Sequence, residues 1–387
     1  MNNRNCFTLR EIIFIVIITG LLCSLGGSLI TYNNFKSKNI ISVDDNKYIE
    51  EFVSSFYTLK ENYYGEIDDK KLMDAAIKAM YQEVGDPYTT YLNEDETLEL
   101  SSRLSGTYNG IGIGINVNDN NQTIITKVYE GTPSEKAGLM ANDIILKIND
   151  NSVSELAPID VANLIKNSKD TVKVNILRGE DEKEFNINIE SLILPSVSGT
   201  VIENGDKRVG YIYIEIFSET TFVQFKNTLQ SIEKEKIDSL IIDVRENTGG
   251  YLTAATSIAE MFLNKDEVIY SLKDNLNQMF YQDQTEETRN YSVIVLIDGN
   301  SASASEILAA ALKESYGAVL VGARSYGKGK VQQTSSLNNG SMVKYTMASW
   351  YTPNNVCIDG VGITPDYEIS IENNQDTQLL KALELLK

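Results

Sequence analysis

The feature that most constrains this chain is the alternation that begins after Leu194-Pro195. RVGYIYIEI reads as a strand, VQFKNTLQSIEKE as a helix, SLIIDVR as a strand, YLTAATSIAEMFL as a helix and YSVIVLID as a strand. SASEILAAALKES continues the series as a helix, and GAVLVG and SMVKYTMASWYT as strands. Repeated βαβ units with continuous apolar strands indicate a mostly parallel sheet covered by helices. In such a sheet the loops after the strands carry the chemistry. Residues 191–387 are therefore expected to form an α/β domain.

The chain upstream reads differently. Between Gly106 and Ile189, the short strands GIGIGINV, QTIITKVY, DIILKIND and TVKVNILR are joined by two helical stretches. TPSEKAGLMAND holds a short helix entered through Thr132-Pro133 and ended at Gly138, and PIDVANLIKNS holds a later one. This is the size and pattern of one small β-rich module, placed at 105–190. From Tyr48 to Leu100 the periodicity is helical: Ile49, Phe52, Val53, Phe56, Tyr57 and Leu59 follow i, i+3, i+4 spacing. KLMDAAIKAMYQEVG forms a second amphipathic helix closed by Gly85. The stripes of this small helical region (34–104, with a linker over 33–46) fit homodimerisation as well as packing on the chain's own body. Ile12–Tyr32 carries no charge, and about 20 apolar residues span a bilayer. With Arg4 and Arg10 ahead of it, the 1–33 segment predicts a single-pass anchor in the cell membrane and an extracytoplasmic body. A cleaved signal peptide and secretion is the rival, with Ser24 and Gly26 as small residues for cleavage.

The composition removes whole classes of chemistry. There is no histidine among the 387 residues, so no Ser-His-Asp or Cys-His unit and no His-ligated metal exists here. Any general base must be Asp, Glu, Lys or Tyr. The 54 acidic against 34 basic residues give a net charge of −20, which argues against nucleic acid as a partner. Cys6, Cys23 and Cys357 make no disulfide framework and no Cys₄ metal site.

Four stretches are able to carry chemistry. In IDGNSASASEILAAALK, a buried strand ends at Asp298 and small residues lead straight into a helix. A side chain there meets free N–H groups and the positive helix end, as a nucleophile and its oxyanion require. Spacing does not rank Ser301, Ser303 and Ser305, and Ser303-Ala-Ser-Glu306 also fits a plain S-x-x-E capping box. In VGARSYGKGKVQQ, Gly329 follows Lys328 where a phosphate-binding loop needs Ser or Thr, so nucleotide binding is rejected. A lysine between glycines after a buried strand is either solvated or drawn into a site, where burial favours the neutral amine that acts as a base. In LIIDVRENTGGYL, the paired glycines either make a simple strand-to-helix turn or turn a backbone N–H toward an oxyanion. TYNGIGIGI places a Gly-rich loop before a strand, either an ordinary turn or a cradle for a peptide's terminal carboxylate.

Together these motifs resemble the carboxyl-terminal processing (tail-specific) proteases, Ser-Lys peptidases of the cell envelope with a PDZ domain. ENYYGEID and VGDPYTTYL resemble the family's N-terminal helical region. YNGIGIGI and GTPSEKAGLMANDIILKIND resemble its PDZ core, and RVGYIYIEIF, DVRENTGG, GNSASASEI, SYGKGKVQ and WYTPNN…GVGITPD its protease core. The resemblance implies an α/β multidomain protein: membrane helix, helical region, PDZ domain and a mostly parallel ClpP/crotonase-like protease core. It implies Ser303 as nucleophile, Lys328 as its base, and Gln332 holding the lysine amine. Ala304 and Gly250, or its neighbour Gly249, would supply oxyanion N–H groups. Gly110, Ile111, Gly112 and Ile113 would receive the peptide tail. The role of Glu314, eleven residues beyond Ser303, stays open. The implied substrates are proteins or peptides with exposed C-termini, with no metal or other cofactor. A non-catalytic PDZ scaffold and a small-molecule acyl hydrolase are the two rivals from other classes.

Overall fold

The computed structural model describes residues 43–118, 120–371 and 375–387. The apolar run Ile12–Tyr32, Cys6 and Cys23 lie outside them. Among the described residues no helix is long and apolar enough to cross a membrane. Among the described residues, those up to Ala75 belong to one compact unit and those from Ala76 to Lys387 to another.

Helix α1 spans Val43–Asn62, so it begins inside the stretch expected to be linker. Polarity alone does not separate a linker from the start of a helix. Ile49, Phe52, Val53, Tyr57 and Leu59 on α1 are all exposed. Helix α2 (Asp69–Glu83) is followed by Gly85 at φ 74°, whose N–H bonds to the Gln82 carbonyl. This is the left-handed close the sequence signals. Strand β1 (Thr90–Leu92) leads to α3 (Glu94–Ser105), capped by Asn93 with Glu96 in a reciprocal capping box.

A β-rich module follows. Strands β2 (Thr107–Gly110), β3 (Ile113–Val117) and β4 (Thr123–Val128) precede the short helix α4 (Pro133–Ala137). Then come β5 (Ile144–Ile148), β6 (Asn151–Ser152), α5 (Pro158–Lys166), β7 (Thr171–Arg178), β8 (Asp181–Asn188) and β9 (Glu190–Ile193). The sheet order β3-β4-β5-β7-β8 leaves β3 at an edge, and antiparallel β2–β9 pairing closes the module where it enters and leaves. Alternate residues Val172, Val174 and Ile176 of β7 enter a core of their own with Ile125, Ile148 and Val161.

The C-terminal part is built on β10 (Val197–Asn204), β11 (Lys207–Ile214), α6 (Thr221–Glu233), β12 (Ser239–Asp243) and α7 (Leu252–Ala259). The hairpin β13 (Val268–Lys273) and β14 (Gln278–Gln282) precedes β15 (Ser292–Ile297), α8 (Ala304–Ala311) and β16 (Val319–Gly322). The chain ends with β17 (Lys330–Ser336), β18 (Met342–Tyr351), β19 (Tyr367–Glu368) and α9 (Thr377–Leu385). One sheet runs β10-β11-β12-β15-β16-β19, parallel throughout except for antiparallel β10. Its strands are apolar on both faces because both are covered. Ile212, Leu240, Ile242, Val295 and Ile297 pack with α6, α7 and α8, while Ile241, Ile294, Leu296 and Val321 pack with α9.

The strand expected at SMVKYTMASWYT forms, but in a second sheet. β18 joins β1, β13 and β17 by antiparallel pairing, with β14 beyond β13. Its pattern explains this: Val343, Ala348 and Trp350 are buried while Tyr345 and Met347 are exposed, and a half-solvated face suits an antiparallel sheet. The pairing Thr90↔Lys344 makes the residues after α2 a structural strand of that sheet.

At the end of β12 the Arg245 guanidinium grips the buried Asp243 carboxylate at 2.6 Å and reaches Asp376 at 2.7 Å, so α9 is tied down where the parallel strands deliver their loops. Removing one partner of a buried pair leaves the other charge unsatisfied. Arg245→Ala should lower unfolding free energy by about 3–5 kcal/mol in a denaturant titration.

Candidate active site

Three loops converge beyond the carboxyl ends of β12, β15 and β16. After β15, Asp298 and Asn300 form a turn and the chain enters α8 at Ser303. Of the three serines, Ser301 and Ser305 are buried and occupied: Ser301 Oγ donates to the Val244 carbonyl and Ser305 Oγ to the Asn247 carbonyl, each at 2.8 Å. Ser303 is half-buried and sits at φ 56°, ψ −113°, where a residue with a side chain is strained. The capping box also forms, but unevenly. Glu306 Oε2 accepts from the Ser303 amide at 2.8 Å, and the weaker reciprocal contact from the Glu306 amide reaches Ser303 Oγ as an acceptor, which leaves the hydroxyl proton uncommitted. Both readings of S-x-x-E therefore have a basis: Glu306 anchors the helix start, and Ser303 Oγ is not consumed as the other two hydroxyls are.

Glu306 does more than the capping motif signals. It is 0% exposed, and it accepts four hydrogen bonds: Ser325 Oγ at 2.6 Å and Gly327 N at 2.7 Å on Oε1, Ser303 N at 2.8 Å and Lys328 N at 2.9 Å on Oε2. Because one oxygen holds both the Ser303 and Lys328 amides, those nitrogens lie no farther apart than the sum of the last two distances. Burial pushes the Glu306 carboxyl above the usual range, and the four donors pull against it.

The loop carrying Lys328 is fixed on its other side as well. Trp350 Nε1 donates to the Lys328 carbonyl at 2.8 Å, and Gly329 N bonds to Asp359. A Cβ on Gly327 or Gly329 would run into the Ile358–Gly362 backbone, which explains GKG at this point. The Lys328 side chain is half-buried. Burial, and next the nearby Lys344 charge, push its amine below the ordinary lysine range, while Glu306 and Asp86 oppose this. Its Nζ lies 5.1 Å from the centroid of the Tyr88 ring and has no hydrogen-bond partner among the described residues.

Gln332 does not hold that amine here. Its Nε2 donates to Thr346 Oγ1 at 3.5 Å, because a bulge after Val331 turns it along β18. The Ser303 and Lys328 backbones are neighbours through the shared carboxylate, and among the described residues no hydrogen bond joins Ser303 Oγ to Lys328 Nζ. Glu314 lies outside this arrangement and accepts the Asn354 amide at 2.8 Å.

The paired glycines have distinct tasks. Gly249, at φ 99°, presses against the serine turn: a Cβ there would stand 2.9 Å from Ser303 Cβ and 3.1 Å from Ala304 N. Its own N–H is taken by Asn247 Oδ1 at 2.9 Å. Gly250 bridges in parallel with Phe217, but the bonds run Phe217 N to Gly249 O and Tyr251 N to Phe217 O. The Gly250 N–H therefore points away from that bridge, is exposed, and like that of Ala304 at the start of α8 has no acceptor among the described residues.

The expected peptide cradle lies in the β-rich module. Ile111 is 1% exposed and belongs to the core, so only its backbone is available to a ligand. The Ile111 and Gly112 carbonyls accept from Ser134 N and Tyr129 N, which fixes the turn against the entry to α4. Gly112 sits at φ 84° with no room for a Cβ beside Thr132, and Gly110 lies under the Tyr108 ring. Ile113 opens the edge strand β3.

Two features escape a reading of the sequence: the bridging role of Glu306, of which S-x-x-E shows only the capping half, and Tyr88, present in DPYT without a stated task. Among the described residues no cluster of His, Cys, Asp and Glu is able to hold a metal.

Comparison with known proteins agrees with this architecture. Residues 208–369 match peptidase family S41, residues 110–189 a PDZ domain, and residues 28–97 the activating protease CtpB N-terminal domain. A probable CtpA-like serine protease of Staphylococcus haemolyticus is 31% identical over 95% of this chain and 74% of its own length. The carboxy-terminal processing protease CtpA of Bacillus subtilis is 32% identical over 93% of this chain and 77% of its own. Among solved structures, the photosystem II D1 C-terminal processing protease is similar with a TM-score of 0.50 and 25% identity, over 86% of this chain and 91% of that one. With a peptidase domain, a PDZ domain and relatives matched along most of their length, the chain belongs to the carboxy-terminal processing proteases of peptidase family S41, as a serine-type peptidase.

Proposed function

We propose that this peptidase works by a Ser-Lys mechanism, anchored in the cell envelope by Ile12–Tyr32, on proteins whose C-terminal tails are exposed. The observation that carries the reading is the Glu306 carboxylate, which holds the backbone of Ser303 and the backbone of Lys328 on one oxygen. With no histidine in the chain, a desolvated lysine is the base at hand. In its neutral form Lys328 Nζ takes the Ser303 hydroxyl proton as Oγ bonds to the scissile carbonyl carbon. The carbonyl electrons move to oxygen, and that anion is received by the Ala304 and Gly250 N–H groups. Collapse returns the electrons, breaks the C–N bond, and the proton on Lys328 goes to the leaving amine. Water then attacks the acyl ester with Lys328 as base again. Gln332 would orient the amine after a rotamer change away from Thr346. The tail's carboxylate would sit on backbone N–H groups of the 110–113 turn while its last residues extend the β3 edge, the usual logic of strand addition. Domain limits at 105–190 and 191–387 follow the same division of labour.

Lys328→Arg should abolish cleavage of an unfolded protein with an apolar tail, because a guanidinium does not release its proton. Ser303→Ala should do the same while costing only about 0.5–2 kcal/mol of stability as a lost cap; turnover by either folded variant refutes the assignment. The pH profile has a definite sign. Lys328 is active when neutral and its amine is held below the ordinary lysine range, so kcat/KM should rise with pH and level off before an unperturbed lysine would titrate. A flat profile from about pH 6 to 9 excludes a lysine base. Gly249→Ala should displace the serine turn and lower kcat roughly 100-fold, read by single-turnover kinetics beside a circular dichroism check of folding.

A further inference from the structure

The segment Asp86-Pro-Tyr-Thr89 follows α2 and precedes β1, and it is held with unusual firmness for a connection. The Asp86 carboxylate accepts from the Tyr88 amide at 3.1 Å and from Thr89 Oγ1 at 2.6 Å, an Asx-type turn around Pro87. Thr89 Oγ1 in turn accepts the Thr346 amide at 3.1 Å, and β1 pairs with β18 immediately afterwards. Tyr88 is thus pinned to the sheet that also carries Lys344 and Trp350. Its phenol lies near that of Tyr326, the residue two before Lys328, and burial, with Tyr326 next, pushes it up to about 12. The Lys328 backbone is held from both sides by Glu306 and Trp350. Two fixed backbones therefore present a ring face to an amine that has no other partner among the described residues.

We propose that Tyr88 is a positioning residue for the Lys328 base: the face of its ring seats the amine in the resting enzyme and favours its protonated form until the side chain swings to Ser303. This rests on the Ser-Lys reading above and adds a residue to it. An aromatic face attracts an ammonium more strongly than a neutral amine. The ring therefore acts in the same direction as the Glu306 and Asp86 carboxylates, and against burial and the Lys344 charge from β18. The remaining charged and titratable groups around the pair are Asp359 and Tyr326, which face Tyr88, and Lys330, which lies by Asp86 and Asp359. Tyr88→Leu keeps an apolar cover but removes the ring face, so it should ease loss of the proton while leaving the amine without a seat.

The experiment is the pH dependence of cleavage by the full-length protein, with wild type, Tyr88→Phe, Tyr88→Leu and Lys328→Arg side by side. Tyr88→Leu should shift the rising limb of kcat/KM to lower pH by about 0.5–1.5 units and reduce the plateau kcat, with little change in KM. Tyr88→Phe retains the ring face and should restore the limb to near the wild-type pH. A purely structural contribution would scale the rate down at every pH without moving the limb. Should Tyr88→Leu not fold, pentafluorophenylalanine at position 88 keeps the shape and reverses the charge on the face, and should displace the limb in the same direction. If the limb stays in place in the variants lacking the ring face while Lys328→Arg is inactive, Tyr88 has no such role and the Ser-Lys reading survives. If Lys328→Arg cleaves normally, both fall.

Discussion

A single buried carboxylate organises the active region. Glu306 has no access to solvent, and an unpaired charge in that position would cost several kcal/mol. It is tolerated because four donors from two chain segments surround it. That satisfaction works in both directions: the loops complete the carboxylate's hydrogen bonding, and the carboxylate fixes where the loops meet. Ser303 can hold an unfavourable φ because its amide is bound from below and Gly249 closes over it without a side chain. The strain is local, and the surrounding bonds over-determine it.

Much of this fold is written in periodicity. The segments that form β11, β12, β15 and β16 read as continuous apolar runs because helices cover both of their faces, and the helices between them read at their own period. Periodicity carries no information on which sheet a strand joins, however. β18 reads like one more strand of the series and instead builds a second sheet with β1, β13 and β17. β13 and β14 leave no clear periodic trace, because they lie in mixed-polarity stretches where contacts distant in sequence decide the outcome. α9 does carry a stripe, with Leu379, Ala382, Leu383 and Leu386 at helical spacing packed together against the sheet.

The site was legible where a motif forces a backbone geometry, and illegible where a side chain chooses among partners. GKG and TGG call for backbone that only glycine allows, and at Gly327, Gly329, Gly249 and Gly250 neighbouring atoms stand where a Cβ would go. Spacing does not rank three serines, whereas the structure separates them by environment: the Ser301 and Ser305 hydroxyls are bonded to backbone carbonyls. Gln332 shows the opposite limit. The family resemblance implies a contact with the lysine amine, and past a bulge in β17 the side chain bonds to Thr346 instead. Glu306 is visible in the sequence only as a helix cap, because three of its four donors come from a loop some twenty residues away that no local pattern names.

On the proposed Ser-Lys mechanism, a chain without histidine must tune its lysine base through its surroundings, since an unperturbed lysine titrates near 10.4. Here those surroundings come from separate stretches: Lys344 from β18, Glu306 from α8, and Asp86 with Tyr88 from the turn ahead of β1. Moving any one of them changes the balance between the charged and neutral amine. On that proposal the turn at 86–89 belongs with β15 and α8, and it is bonded to β18 although the whole PDZ module separates them in sequence. An assembly of this kind gives proton affinity that depends on docking of distant segments, which a local Ser-His pair would not require. The firm bonding of Asp86 and Thr89 to each other and to β18 is the structural consequence: a base tuned by remote parts works only if those parts do not wander.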